Sequence, residues 1–253
     1  MGIALDWAWI AAVLLVSVRL GPLMILTPVL GSAEIPVRAR VLFALALSAL
    51  VVSNVHKGWA VDLSSAAALM SAAIVELVIG AVLAFGLLAA FAAFLFGGRL
   101  LDLQIGFGVA TLIDPTTRGQ APLLGTLLNL VAVAVFFAVD GHHVLLRGFA
   151  QSLERVPPGT SWSSLPIGAV VAQFGVVFAY GLTIVAPAVF ALLLLDVALA
   201  LAGRTMPQMN VFIVAMPLKV VVGLLVLALS AGYLLPAMQR IFETIPRYWD
   251  RLG

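Results

Sequence analysis

Apolar residues run along this chain in long stretches, broken by short polar or glycine- and proline-rich pieces. A membrane-spanning helix needs about 20 such residues, and six stretches are candidates. The first is Asp6 to Leu30; Gly21-Pro22 and Thr27-Pro28 predict a kink or break in its second half. The second, Val41 to Val55, is short for a span and follows Arg38 and Arg40. The third, Leu63 to Phe96, would be about 50 Å long as one helix, more than a hydrocarbon core of about 30 Å. Leu123 to Val139 is the fourth; after the polar patch Asp140-Gly141-His142-His143 the helix restarts from Val144 to Glu154. Val156 to Pro166 is the clearest loop. The fifth, Gly168 to Leu201, is divided by Pro187, and the sixth spans Val211 to Leu235. Their short link predicts an antiparallel helical hairpin. The tail from Pro236 to Gly253 is partly amphipathic.

One stretch breaks the helical pattern. Gly97 to Pro122 carries Gly97, Gly98, Gly106, Gly108 and Gly119, and Asp114-Pro115 starts a turn. Leu101, Leu103, Ile105, Phe107 and Val109 alternate with Asp102, Gln104, Gly106 and Gly108, the period of an extended segment. Apolar, non-helical backbone among membrane helices is tolerated only inside protein or along a cavity. A pore constriction, a substrate site and a static re-entrant connector all fit.

Composition fixes the class. The 253 residues are 64% hydrophobic and 9% charged, against roughly a quarter charged in soluble domains. Mean hydropathy is +1.21. The chain is read as an all-α membrane protein forming one domain over residues 1–253, with an N-terminal half 1–97, an irregular loop 98–122 and helical hairpins 123–253. The apolar start has no basic segment before it, so it reads as a first helix rather than a cleaved signal. With no cysteine there is no disulfide or thiolate metal site. A net charge of +2 without a basic run argues against nucleic acid. Six spans would put six Lys or Arg on one side and five on the other, too even to orient the chain.

Candidate chemistry is thin. Asp140, His142 and His143 lack a convincing third imidazole, and neighbouring histidines on a helix diverge, so no metal is expected. Asp102 can pair with Arg99 one turn away. Ser32 has no partner base. Glu76, Asp196 and Lys219 lie inside apolar segments, where ionisable groups form either ion pathways or structural pairs between helices. Ala89, Ala93 and Gly97 make a small-residue stripe that admits a close helix neighbour. No P-loop is present, and no catalytic residue or cofactor site is expected.

Three blocks together resemble a known family. They are GRLLDLQIGFGVATLIDPTTRGQAPLLG from Gly98, VDGHHVLLRGFAQSLERVPPG from Val139 and GRTMPQMNVFIVAMPLKVVVGL from Gly203. In this order and spacing they resemble the FliR family of the flagellar export apparatus, whose virulence type III counterpart is SctT. The resemblance implies long kinked helical hairpins wound into a superhelical gate with FliP-like and FliQ-like subunits, with FlhB-like and FlhA-like proteins associated. It implies location in the bacterial inner membrane at the flagellar basal body, and passage of unfolded flagellar subunits driven by energy supplied elsewhere. In the family, the loop matching Gly106 to Pro122 lies in the channel as a plug. The implied gating residues are Ile105, Gly106, Phe107, Gly108, Val109, Leu112, Ile113, Asp114 and Pro115. The expected partner interface comprises Ala89, Ala93, Gly97, Pro207, Gln208 and Asn210. A virulence gate subunit and a secondary transporter are the competing readings.

Overall fold

The computed structural model describes residues 6–28, 31, 35–55, 59, 64–107, 122–160, 166–206 and 210–252, except the side chains of 211 and 212. Among them every regular element is an α-helix: α1 (Trp7–Leu26), α2 (Val37–Val55), α3 (Ala66–Ile105), α4 (Leu123–Ala138), α5 (Gly141–Arg155), α6 (Ile167–Thr205), α7 (Val211–Leu229) and α8 (Ala231–Asp250). Four helices are long and apolar enough to cross a membrane, or six if the bent pairs α4–α5 and α7–α8 each count as one span. This is an all-α membrane protein.

Several boundaries differ from the sequence reading. α3 runs 40 residues without a break, about 60 Å, and absorbs Gly97 to Ile105. The apparent period of two was a helix: Leu101 and Ile105, four apart, are both buried, whereas Leu103 between them is exposed. The helix stops at Gly106, where φ is +101° and the N–H donates to the Asp102 carbonyl. Glycine adopts this conformation without a Cβ penalty. α6 continues for 39 residues through Pro187, and α1 continues through Pro22. In both, the surrounding apolar helix outweighs one lost backbone hydrogen bond. α5 begins at Gly141, earlier than expected, after Asp140 turns the chain at φ +55°.

The chain forms two compact units: Met1–Ala89 with Asp140–Gln173 and Ile245–Gly253, and Ala90–Val139 with Phe174–Thr244. In the first, Ala12, Val16 and Leu20 of α1, Ile79, Leu83 and Leu87 of α3, and Leu145, Phe149 and Leu153 of α5 are buried. The end of α8 closes this core. Tyr248 Oη donates to the Val82 carbonyl at 2.8 Å and Trp249 Nε1 to the Leu83 carbonyl at 3.1 Å. Gly86 and Gly148 make room: a Cβ there would lie 2.6 Å from the Tyr248 ring or 2.1 Å from the Trp249 ring. The second unit is centred on Phe91, Phe94, Phe136 and Phe242, with Phe136 and Phe242 centroids 5.4 Å apart.

Candidate functional site

In the second unit, the segment read as a plug follows the end of α3 at Gly106 and precedes α4. Its two ends are tied together. The Asp102 carboxylate, on the last turn of α3, accepts from the Leu124 N–H at 3.0 Å and the Gly125 N–H at 3.3 Å. A helix N-terminus leaves its first N–H groups without backbone partners and favours negative charge, so Asp102 satisfies α4 from 22 residues away. The expected pairing with Arg99 is not what holds it. Beside this staple the backbones of α3 and α4 touch: a Cβ on Gly98 would stand 2.3 Å from the Gly125 Cα.

Of the implied gating residues, Ile105, Gly106 and Phe107 are described. Ile105 is 1% exposed and faces Gly223 of α7, where an added Cβ would meet it at 2.6 Å. Gly106 lies against Met216, and Phe107 is half-buried. Gly108, Val109, Leu112, Ile113, Asp114 and Pro115 lie outside the described residues.

Of the expected interface residues, Ala89 is buried in the first unit. Ala93 and Gly97 are covered in the second unit by this chain's own α6, where Gly181 meets Ala93, and Gly181 and Val185 meet Gly97. Asn210 is exposed at the start of α7; Pro207 and Gln208 lie outside the described residues.

The internal charges divide into separate pairs. In the second unit Lys219 Nζ lies 2.6 Å from Asp196 Oδ1. In the first, Glu76 holds a partner that sequence reasoning missed. Arg19 Nε donates to Glu76 Oε2 at 2.5 Å and Nη2 to Oε1 at 3.1 Å, with both side chains fully buried. The guanidinium also donates to the carbonyls of Ser152 and Val156, each at 2.8 Å. The Gly159 N–H donates to Glu76 Oε1 at 3.1 Å. Arg19 thus satisfies the last turn of α5 while joining α1 to α3. The available signal was a lone Arg and a lone Glu deep in two apolar helices.

Asp140, His142 and His143 gather at the start of α5, with the imidazoles 4.1 Å apart rather than divergent. Asp140 Oδ1 lies 3.3 Å from His143 Nδ1. They stand at the positive end of a helix, where a bound cation is disfavoured.

The family model described as "Bacterial export proteins, family 1" matches residues 10–245. The chain belongs to this family. Among members of the bacterial export family, it is 29% identical over 238 residues to the flagellar biosynthetic protein FliR of Bacillus subtilis (strain 168), covering 92% of this chain and 90% of that one. It is 30% identical over 218 residues to the FliR protein of Aquifex aeolicus (strain VF5), covering 85% and 83%. It is also 29% identical over 162 residues to the secretion system apparatus protein SsaT of Salmonella typhimurium, covering 63% and 62%.

Proposed function

We propose that this chain is a structural pore and gating subunit of the flagellar type III protein export apparatus in the bacterial inner membrane. The observation that carries this reading is the family match across residues 10–245. Two features support a gating role. The chain is all-α with apolar helices of spanning length, and the glycine-rich segment from Gly106 to Pro122 issues from two helix ends stapled by Asp102. Anchored ends let such a segment change conformation without unravelling the helices beside it.

In this mechanism the apolar residues Phe107, Val109, Leu112 and Ile113 fill the passage when no substrate is present. A hydrophobic constriction resists water and ions because wetting it is unfavourable. Gly106 and Gly108 supply the backbone freedom to swing aside, and Asp114-Pro115 fixes the turn to which the segment returns. Ile105, packed against Gly223, is the fixed root of the plug rather than its moving part. The chain carries no catalytic step; it binds and positions. FliP-like and FliQ-like subunits complete the wall, FlhB-like and FlhA-like proteins associate with it, and Pro207, Gln208 and Asn210, the last exposed at the start of α7, meet a neighbour.

Affinity purification of the tagged chain from its own membranes, with partners identified by mass, tests the assignment. FliP-like and FliQ-like proteins are expected in the recovered assembly. Recovery as a single species that transports a small molecule saturably in vesicles would instead identify a secondary transporter. The SsaT match supports the virulence counterpart as a second reading; loss of swimming on deletion of the gene, with secretion of other effectors intact, selects the flagellar one.

A further inference from the structure

Two residues of α7, Gly223 and Met216, meet the end of α3, and they do so differently. Gly223 is buried and leaves room for Ile105, whose Cδ1 a Cβ there would meet at 2.6 Å; Leu192 of α6 lies 3.6 Å from the same point and closes the seat. Ile105 and Leu192 are both fully buried. Met216 lies two turns earlier on α7, about 10 Å along its axis, and covers Gly106: a Cβ on Gly106 would stand 3.2 Å from Met216 Sδ. Met216 and Gly106 are only half-buried. Ile105 leans back toward the start of α3, so the end of α3 and the start of α7 run antiparallel, with one closed contact and one open one.

Pro217 falls between the two contacts. It has no N–H, so the Ile213 carbonyl loses its donor from within the helix, and its ring disfavours helical backbone at Met216. Bends in helices concentrate at such residues. The Asn210 side chain makes no cap bond at the start of α7, so the turns before Pro217 are the less firmly held part of this helix. Beyond Pro217, Gly223 is locked on Ile105. Methionine suits a contact that opens and closes, because its unbranched thioether changes shape readily. What it covers is the point where α3 stops, at a φ of +101° that glycine alone adopts without a Cβ penalty.

We propose that the first turns of α7, pivoting at Pro217, are a movable catch on the gate. Met216 seated on Gly106 holds the left-handed exit of α3 in place. Withdrawal of Met216 releases that exit, while Ile105 stays in its seat at Gly223. The catch thus sets the balance between the closed and open arrangements without unpacking the second unit. This inference concerns the regulation of the gating segment and rests on the gating reading.

The intact purified assembly in a planar bilayer tests it. M216A, which empties the catch, should raise resting conductance severalfold at unchanged subunit content, and M216L, which restores the volume, should return most of the tightness. P217A, which removes the pivot, should slow export severalfold while resting conductance stays at the wild-type level. The chain has no cysteine, so F107C/M216C introduces one pair of thiols beside the catch. Bridging them with a short bis-maleimide that carries a central disulfide should stop export, and reducing the same sample should restore it; this readout does not depend on how well M216A folds. Wild-type conductance in M216A overturns the proposal. So does wild-type export through the bridged assembly, and failure of the pair to bridge contradicts the contact itself. Deleting Val109 to Ile113 in the same bilayers separates the failures. A deletion that leaks beside an M216A that does not refutes the catch alone; a deletion as tight as the wild type refutes the gating reading and this inference together.

Discussion

Arg19 shows how a single residue can organise three helices in an apolar chain. Its guanidinium is fully buried, and the bidentate bonds to Glu76 and the two carbonyls of α5's last turn use its donors in the planar arrangement that a lysine lacks. Removing one member of a buried pair leaves an uncompensated charge, which costs about 3–5 kcal/mol. R19M should therefore sharply lower the melting temperature of the detergent-solubilised chain, and R19K should not rescue it. Alanine at exposed Arg251 should change stability by less than about 0.5 kcal/mol. Asp102 is a second such residue. D102A leaves the Leu124 and Gly125 N–H groups without their acceptor and should cost about 1–3 kcal/mol, whereas D102N keeps an acceptor and should cost less; thermal melts distinguish them. The sequence reading allowed Glu76 a structural pair between helices, which the Arg19 bond is, but named no partner, and it gave Asp102 a local one. Local spacing pointed Asp102 to Arg99, while its actual partners and the partner of Glu76 lie 22 and 57 positions away. No helical periodicity encodes such distances.

At the scale of helices, small residues decide where backbones approach. Alanine is ordinarily favoured over glycine in a helix by about 1 kcal/mol. At Gly98 the sign should reverse, because the new Cβ would meet backbone atoms of α4. At Gly175, with nothing within 4 Å, G175A should be neutral or stabilising in the isolated chain. Opposite shifts in melting temperature for G98A and G175A would confirm the packing; equal shifts would not. The long helices were legible as apolar runs, and the hairpin of α6 with α7 as a tight link between two of them. The end of α3 was not. Glycines and an accidental alternation of leucines with polar residues imitated an extended strand, while Leu101 and Ile105 were in fact stacked on one buried helix face. Pro187 looked like a divider because local rules see only the lost hydrogen bond, not the apolar turns on both sides that carry the helix through it. The roles of Gly86 and Gly148 depend on Tyr248 and Trp249 from the far end of the chain, and nothing local announces them.

For the whole molecule, composition alone established a membrane protein, and three spaced blocks pointed to the bacterial export family that the match over residues 10–245 shows. The proposed gating role joins that family to a particular layout: an apolar, glycine-rich stretch of sequence whose flanking helix ends are clamped by Asp102 and rooted by Ile105. It predicts that shortening this segment opens the passage without dismantling its wall. The decisive measurement is the ion conductance of the purified export assembly in a planar bilayer, with and without deletion of Val109 to Ile113. The account predicts an assembly of unchanged subunit content whose resting conductance rises well above the wild type. An intact assembly as tight as the wild type would contradict it.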